Sequence, residues 1–344
     1  MRKFFWLAGL ALGANAAQAQ TIEFTLNPDV TGGYGLLDEA ALEQAVNDNV
    51  GDLLKVADQD AFTSSMAEAA SMSVKGLGVD YASNIQKFVV GGAISSGVHA
   101  AGLSFKKGTD VLPSGGFAGQ LSLMAGVNLG LGGKEKGFFD RFRLYGNGLA
   151  LRFPSGREFG GNMANVGAHL QVKIIGGIDA KVTEWGGIDV TSGFDYTTYT
   201  LALRSELPLP APVEGGDLTW NATGSYDLTT TATSIPIEVS TNVRVAILTA
   251  YLGGAYDLNM ASTSSQASLA GPVNATIESD AVSINDENIG EASLSLAGSG
   301  VADPQAMRVF LGIQGSVLMI KGFAHLNVGF NGAIGGQLGV RVAM

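Results

Sequence analysis

The side chains best suited to chemistry are three histidines, because imidazole exchanges protons near neutral pH and binds metal ions. His99, His169 and His325 each fall on the polar side of a separate segment in which polar and apolar residues alternate. If these segments surround a wide, water-filled interior, histidines spread around it mainly contact water. The sequence contains no HExxH or GxSxG motif and no cysteine. We therefore expect no catalytic site, no metal site and no cofactor.

Two further patterns resemble chemical sites but have simpler explanations. The glycine-rich run from Gly126 to Gly132 does not match the P-loop pattern and precedes no helical pattern, so it indicates closely packed strand and turn. Asp179, Glu184 and Asp189 lie near one another in sequence, but acid–base catalysis requires carboxylates that also meet in space. We predict that the protein is not an enzyme.

A set of basic side chains shares the polar side of the alternating segments. This set predicts a basic, polar interior for the structure that those segments build. The alternative is that the arginines pair locally with neighbouring carboxylates. The candidate lumen-lining residues are Arg141, Arg143, His169, Lys173, Arg204, Arg244, Arg308, His325 and Arg341.

The elements that must position these side chains are strands with one apolar and one polar face. The alternation is clearest from Phe117 to Leu131 and from Ala324 to Val342. Several such runs reach ten residues or more, close to the roughly 9 to 11 that cross a bilayer at a tilt. Paired glycines separate the runs. The fold class is therefore mostly β, an antiparallel transmembrane β-barrel of about 12–14 strands over residues 84–344.

The N-terminal region has a different period. Apolar residues recur every three or four positions over residues 36–59, and a second short helix is expected over 63–74. The period changes near Asn84. We predict that residues 20–83 form a short helical N-terminal segment, acting as a plug or a cap of the barrel, with an amphipathic helix on the periplasmic rim as the alternative.

The first residues carry an export signal. Arg2 and Lys3 precede the apolar run Phe4–Leu12, and Ala17 and Ala19 mark cleavage after Ala19, so residues 1–19 are a signal peptide. Without Arg2 and Lys3, 18 basic residues face 31 acidic ones, a formal charge of −13. Nucleic acid is excluded as a partner because phosphate binding requires a basic surface.

The overall composition agrees with a protein that exposes apolar surface. Mean hydropathy is +0.23 and only 15% of residues are charged, yet no stretch of about 20 apolar residues follows the signal peptide. Two features depart from the usual membrane barrel: aromatics make up 8% of the chain, and the last residue is Met344 rather than an aromatic. A soluble periplasmic β binding or assembly protein is therefore kept as an alternative.

Residues 88–153 carry a family resemblance. It rests on Gly91-Gly92 with Ser96-Gly97, on Gly102-Leu103-Ser104-Phe105, on the run from Leu123 to Gly130, and on Phe138-Phe139-Asp140-Arg141-Phe142. This stretch resembles spirochaetal-type outer-membrane surface adhesins. The resemblance implies an outer-membrane location and ligand binding by surface loops. Some members are lipoproteins, and this chain lacks the required cysteine.

The sequence thus predicts an outer-membrane surface protein that is porin-like, a channel, or structural, with ligand-binding loops. Its expected partners are outer-membrane lipid, the barrel insertion machinery, small solutes or hydrophobic ligands, and extracellular ligands. The alternative is a transporter of hydrophobic compounds, because barrels of the long-chain fatty-acid transporter type also resemble this layout, with an N-terminal plug before the strands.

Overall fold

The computed structural model describes residues 23–27, 44, 59–82, 84–85, 87–100, 115–130, 137–153, 158–180, 182–213, 216–278 and 283–344. The predicted signal peptide and almost all of the first predicted helix lie outside these residues. A short 3₁₀ turn covers Phe138–Arg141. The elements in chain order are β1 (Glu23–Leu26), α1 (Gln59–Ser73), β2 (Phe88–Ala100), β3 (Gly115–Asn128), β4 (Phe142–Phe153), β5 (Phe159–Ile175), β6 (Ile178–Ala180), β7 (Thr183–Val213), β8 (Gly216–Val245), β9 (Leu248–Glu278), β10 (Ser283–Val301), β11 (Gln305–Val317), β12 (Ile320–Gly329) and β13 (Ala333–Ala343).

The strands form one antiparallel sheet that closes on itself. Within the described residues the sheet has 13 strands. Ten of them form a ring in the order β2, β3, β4, β5, β7, β8, β9, β11, β12, β13, and β13 pairs back onto β2. Closure gives each of these strands a hydrogen-bonded neighbour on both sides over at least part of its length. The predicted fold class, a mostly β antiparallel barrel of the transmembrane type, is confirmed.

The two faces of the ring differ sharply in polarity. On β12 and β13 the outward side chains include Leu326, Val328 and Leu338, which are exposed, while His325 and Asn327 are buried inside. The same pattern continues along the other ring strands, with exposed apolar residues outside and buried polar residues inside. The apolar side of the run from Ala324 to Val342, which is its even positions, is therefore the outer face.

The polarity of the faces reverses part-way along β8. Towards Val245, which we call the lower end of β8, the outward residues are apolar, such as Val239, whereas the inward ones are polar, such as Glu238. Towards Gly216, which we call the upper end, the outward residues are polar, such as Thr229, whereas Trp220 and Leu228 are buried on the inner side. An apolar outer face suits lipid and a polar one suits water. The reversal therefore marks the level at which the strands leave an apolar surrounding.

Beyond that level the long strands continue as a separate sheet layer. It consists of residues 204–213 of β7, 216–233 of β8, 261–278 of β9, β10 and β1, and we call it the canopy. Its inner face is apolar and includes Trp220, Leu269 and Ile289, all buried. The strand registers place the canopy at the end of the ring opposite Met344.

Two segments of unusual composition, one rich in serine and one rich in proline, belong to the canopy. The region from Ser262 to Pro304 forms the end of β9 and all of β10, and the proline-rich Leu207–Pro212 segment forms the end of β7. Prolines are tolerated there because β7 pairs with β5 only as far as Leu203. Among the described residues, its last ten residues, 204–213, therefore have β8 on one side and no strand on the other. Alternating Pro208, Pro210 and Pro212 suit an edge strand.

Candidate functional site: the filled lumen

The lumen of the ring is occupied by the chain that precedes β2. We call α1 together with residues 74–82, 84 and 85 the inner segment. Almost every residue from Phe62 to Ala82 is buried, although eight of these 21 residues have polar or charged side chains other than tyrosine. The backbone of α1 lies closest to β2, β3, β8, β9, β10 and β13. Among the described residues, no helix combines the length and apolar character needed to cross a membrane.

Glycines in the ring and in β10 of the canopy make room for the helix. A Cβ atom built on Gly97 of β2 would lie 2.1 Å from the carbonyl oxygen of Ala69, and one on Gly116 of β3 would lie 2.0 Å from that of Ser65. On the far side, a Cβ on Gly300 would lie 2.1 Å from the backbone nitrogen of Ser64. Any larger residue would collide with backbone rather than with a flexible side chain. The close approach of helix and wall therefore depends on glycine at these positions.

Below the helix, a buried ion cluster joins the inner segment to the wall. Arg308 of β11 donates from Nε to Asp257 Oδ2 of β9 at 2.9 Å, and from Nη2 to Glu238 of β8. Lys75 of the inner segment lies 3.5 Å from Asp257 Oδ1 and donates to Asn259 Oδ1 at 2.7 Å. All four charged side chains are at most 2% exposed. Two positive and two negative charges balance, which is what burial of ions requires.

Further polar contacts fix the inner segment on the same side. Arg341 of β13 pairs with Asp80 at 3.1 Å and also donates to the carbonyl oxygen of Val79 at 3.3 Å. Asn327 and Gln337 both donate to the carbonyl oxygen of Lys75. Because the segment is neither helix nor strand at this point, these side chains satisfy backbone groups that would otherwise be unpaired.

An aromatic stack adds to this attachment. The ring of Tyr81 lies 5.6 Å from that of Tyr251, 4.9 Å from that of Phe310 and 5.5 Å from that of His325. The Tyr81 hydroxyl donates to Glu238 Oε2 at 2.6 Å. The stack therefore joins the inner segment to three neighbouring strands and to the ion cluster at once.

At the canopy end, Glu68 of α1 contacts two connections of the barrel. It accepts hydrogen bonds from the backbone nitrogen of Asp303, between β10 and β11, and from Asn331 between β12 and β13. Burial raises the pKa of the Glu68 carboxyl, and the nearby Asp303 charge adds to the rise, while both hydrogen bonds and His99 oppose it. Glu68 thus attaches α1 to two connections between strands at the canopy end of the ring.

The structure separates the nine candidate lumen-lining residues into three groups. Buried inside the ring are Arg143, His169, Arg308, His325 and Arg341. Lys173 is half-buried and donates to Asn84 of the inner segment at 2.9 Å. The remaining three do not line the lumen: Arg141 is exposed in the 3₁₀ turn, Arg204 pairs with Asp227 on the outer face of the canopy, and Arg244 pairs with Glu184 at an exposed position near the end of β8.

The reason for the three exceptions is local. Arg141 precedes β4 and so has no strand face, and Arg204 faces outward above the level where the faces reverse in polarity. Arg244 is the last residue but one of β8, so it lies at the open end of the ring. Their side chains therefore reach water. The arginines inside the ring do pair with carboxylates, as the alternative interpretation held.

Sequence reasoning missed the negative half of the lumen. Asp80, Glu238 and Asp257 neutralise Arg341, Arg308 and Lys75, so the interior is a network of ion pairs rather than a basic channel. The sequence did carry a signal for two of these acids, because Glu238 and Asp257 occupy the same alternate positions as the other inward polar residues of their strands. No described group of three or more His, Cys, Asp or Glu side chains has the arrangement of a metal site.

A family model described as Lsa36-like matches residues 24–344. The chain belongs to the Lsa36-like family. No protein with curated annotation matches the sequence.

Solved structures similar to the chain are barrels of several kinds. The CymD monoaromatic hydrocarbon channel is 9% identical, with 81% of this chain and 98% of that chain covered and a TM-score of 0.25. A Pseudomonas aeruginosa FadL homologue is 9% identical, with 81% and 97% covered and a TM-score of 0.24. The attachment invasion locus protein Ail of Yersinia pestis is 8% identical, with 62% and 97% covered and a TM-score of 0.21. Because these scores are low, the function of this chain has to be argued from its own residues.

Proposed function

We propose that the chain is an outer-membrane β-barrel surface protein, a channel whose lumen is closed by the inner segment. The observation that carries this proposal is the combination of an exposed apolar belt around the ring and a polar interior filled by residues 59–85. A soluble β protein has its apolar side chains inside, whereas this ring has them outside. The exposed apolar belt of the ring is therefore suited to contact with lipid.

The orientation follows from the connections. At the Met344 end, the connections between β8 and β9 and between β11 and β12 have two residues each, and the one between β3 and β4 covers residues 129–141. The canopy, which is larger than any of these, projects from the opposite end. Outer-membrane barrels have short periplasmic turns and longer extracellular parts. We therefore place the canopy outside the cell, where it would be the part that meets extracellular ligands.

Closure by the inner segment is tested by conductance. A chain lacking residues 21–83 should fold and conduct ions in planar bilayers at steps well above those of the complete mature chain. Equal conductance would reject the plug. If the shortened chain does not fold, the full-length variant Lys75→Met with Asp80→Asn, in which two attachments are lost, should show more frequent openings than the parent; no increase would also reject it.

Membrane insertion is tested separately. The protein should stay with outer membranes after a carbonate wash and should migrate faster on gels when unheated, because closed barrels resist detergent unfolding. Release into the wash would contradict the barrel proposal and support the soluble periplasmic alternative.

A second candidate function is transport of hydrophobic compounds. It is favoured by the apolar inner face of the canopy, which meets Phe62 and Met66 of α1, so an apolar surface leads directly to the inner segment. Trp220 is buried in that cluster and reports on it. Quenching of tryptophan fluorescence by a long-chain fatty acid, lost in Trp220→Phe, would support this function over passage of small polar solutes.

A further inference from the structure

The inner segment runs through the ring from one end to the other. At the canopy end, the carbonyl group of Ser65 in α1 packs against Gly116, near the start of β3. At the Met344 end, the carbonyl oxygen of Ile85 accepts a hydrogen bond from Asn128, the last residue of β3, at 3.1 Å. Because these two contacts lie at opposite ends of the same strand, the chain crosses the ring between them.

The barrel wall begins where the inner segment ends. The backbone nitrogen of Lys87 donates to the carbonyl oxygen of Met344 at 2.8 Å, and β2 starts at the next residue. The ring has ten strands, an even number, so β2 starts and β13 ends at the same end of the ring. Such a ring can be entered and left from one side without any crossing. The crossing is therefore an additional feature of the N-terminal part of the chain.

The part of the chain before the inner segment is built into the canopy. β1 pairs antiparallel with β10, with Glu23 opposite Ser293. Phe24 of β1 is 7% exposed and belongs to the apolar cluster on the inner face of the canopy. Strand pairing and side-chain burial both hold β1 at this place. β1 and the start of β2 therefore lie at opposite ends of the ring.

The charged side chains of the inner segment favour a path through the ring over a path through lipid. The segment carries Glu68, Lys75 and Asp80, and a charged side chain in the middle of a bilayer is strongly disfavoured unless it faces a polar interior. Inside the ring Lys75 joins the ion cluster, and Asp80 pairs with Arg341. The lumen is the polar path that this part of the chain can take across a membrane.

The width of the lumen limits what can follow that path. A Cβ atom built on Gly97 or Gly300 would collide with the backbone of α1, so the helix fills the space that the ring offers. An α-helix with its side chains is about 10–12 Å across. An unfolded or helical chain therefore fits through the empty ring, whereas a folded domain does not.

We propose that the ring carries the N-terminal part of its own chain across the outer membrane, so that β1 joins the canopy outside the cell while β2 begins at the periplasmic end. The inference rests on the proposed barrel and its orientation. It gives the inner segment a second role, because the residues that close the lumen are the trailing end of the part that is exported through it.

Single cysteines can locate the two ends of the crossing, since the chain contains no cysteine. Glu23→Cys lies on β1, Asp217→Cys on the canopy part of β8 and Arg141→Cys at the Met344 end, and all three positions are exposed. Each variant is first shown to react with maleimide as purified, folded protein. A maleimide coupled to a polymer too large for porins is then added to intact and to permeabilised cells.

We expect Glu23→Cys and Asp217→Cys to be labelled to the same extent in both preparations, and Arg141→Cys at least several-fold more after permeabilisation. The Asp217→Cys variant separates this inference from the proposed orientation. Labelling of Asp217→Cys but not of Glu23→Cys on intact cells would overturn the inference and leave the orientation standing. Absence of Asp217→Cys labelling on intact cells would show that the orientation is wrong, and export of β1 would be rejected with it.

A second measurement tests the path through the ring. A small disulfide-bonded domain with an epitope tag is inserted after Asn27, the residue that follows β1. The folded domain should be detected by antibody only in permeabilised cells, whereas the same domain with its cysteines replaced by serine, which stays unfolded, should be detected on intact cells. Equal detection of the two forms on intact cells would overturn passage through the lumen. Heat-modifiable migration reports the barrel separately, so failure of this inference leaves the proposed barrel intact.

Discussion

At the residue scale, Lys75 is the charge by which the inner segment joins the buried ion cluster. Lys75→Met leaves Asp257 and Glu238 facing Arg308 alone, one net negative charge in a buried site. We expect a loss of about 3–5 kcal/mol of unfolding free energy, which the double variant with Asp257→Asn should largely restore because it returns the site to neutrality. Urea unfolding of the protein in lipid vesicles measures both.

The control for this prediction is an exposed pair of the same chemistry. Arg204 and Asp227 are bonded at 2.9 Å but are 44% and 47% exposed. Arg204→Met should therefore cost less than about 1 kcal/mol. An equal cost at Lys75 and Arg204 would show that the buried cluster is not a specific attachment.

The outward residues of β8 test where the lipid-facing belt ends. Val239 and Thr229 have the same outward parity on one strand, below and above the reversal of polarity. Val239→Arg should cost roughly 2–4 kcal/mol, whereas Thr229→Arg should be almost neutral, because only the first puts a charge into hydrocarbon. Urea unfolding of both variants in lipid vesicles provides the comparison. An equal loss of unfolding free energy would show that the lipid-facing belt does not end between these two positions.

At the element scale, the fit of α1 against β2 explains why the helix remains inside. Gly97→Leu puts a side chain where the Ala69 carbonyl oxygen lies, so the helix must move away from the wall. We expect higher conductance in planar bilayers and faster proteolysis within residues 59–85. Gly322→Leu is the control, because a Cβ there meets nothing within 4 Å. Similar behaviour of the two variants would mean that the helix contact does not close the lumen.

At the scale of the whole molecule, orientation is the property to be tested. An epitope inserted between Val213 and Gly216, where β7 and β8 are joined at the canopy, should bind antibody on intact cells. The same epitope between Val245 and Leu248, at the Met344 end, should bind only after the cells are permeabilised. The opposite result would reverse the orientation, and binding at both sites would contradict a folded barrel in the membrane.

The sequence by itself determined the local geometry of this protein. Alternation along runs such as Ala324–Val342 identified strands and their outer faces, because successive side chains of a strand point to opposite sides. The helical period predicted a helix over residues 63–74, which the structure has at Gln59–Ser73, whereas the short strand β1 at Glu23–Leu26 lies in a region predicted to be helical. The sequence also put Arg308 and Arg341 on the polar side of their strands, and the structure places both inside the ring.

Tertiary structure decided everything that depends on distance between segments. Alternation shows which face of a strand a side chain is on, but it does not show how far along the barrel axis the residue lies. It therefore could not show that Arg204 lies above the reversal of polarity and reaches water. It also could not bring Lys75 to Asp257, 182 positions later in the chain, or identify Gly97 as the space for Ala69. Ion pairing and close packing arise only after the ring has closed, because closure alone sets which strands face each other across the lumen.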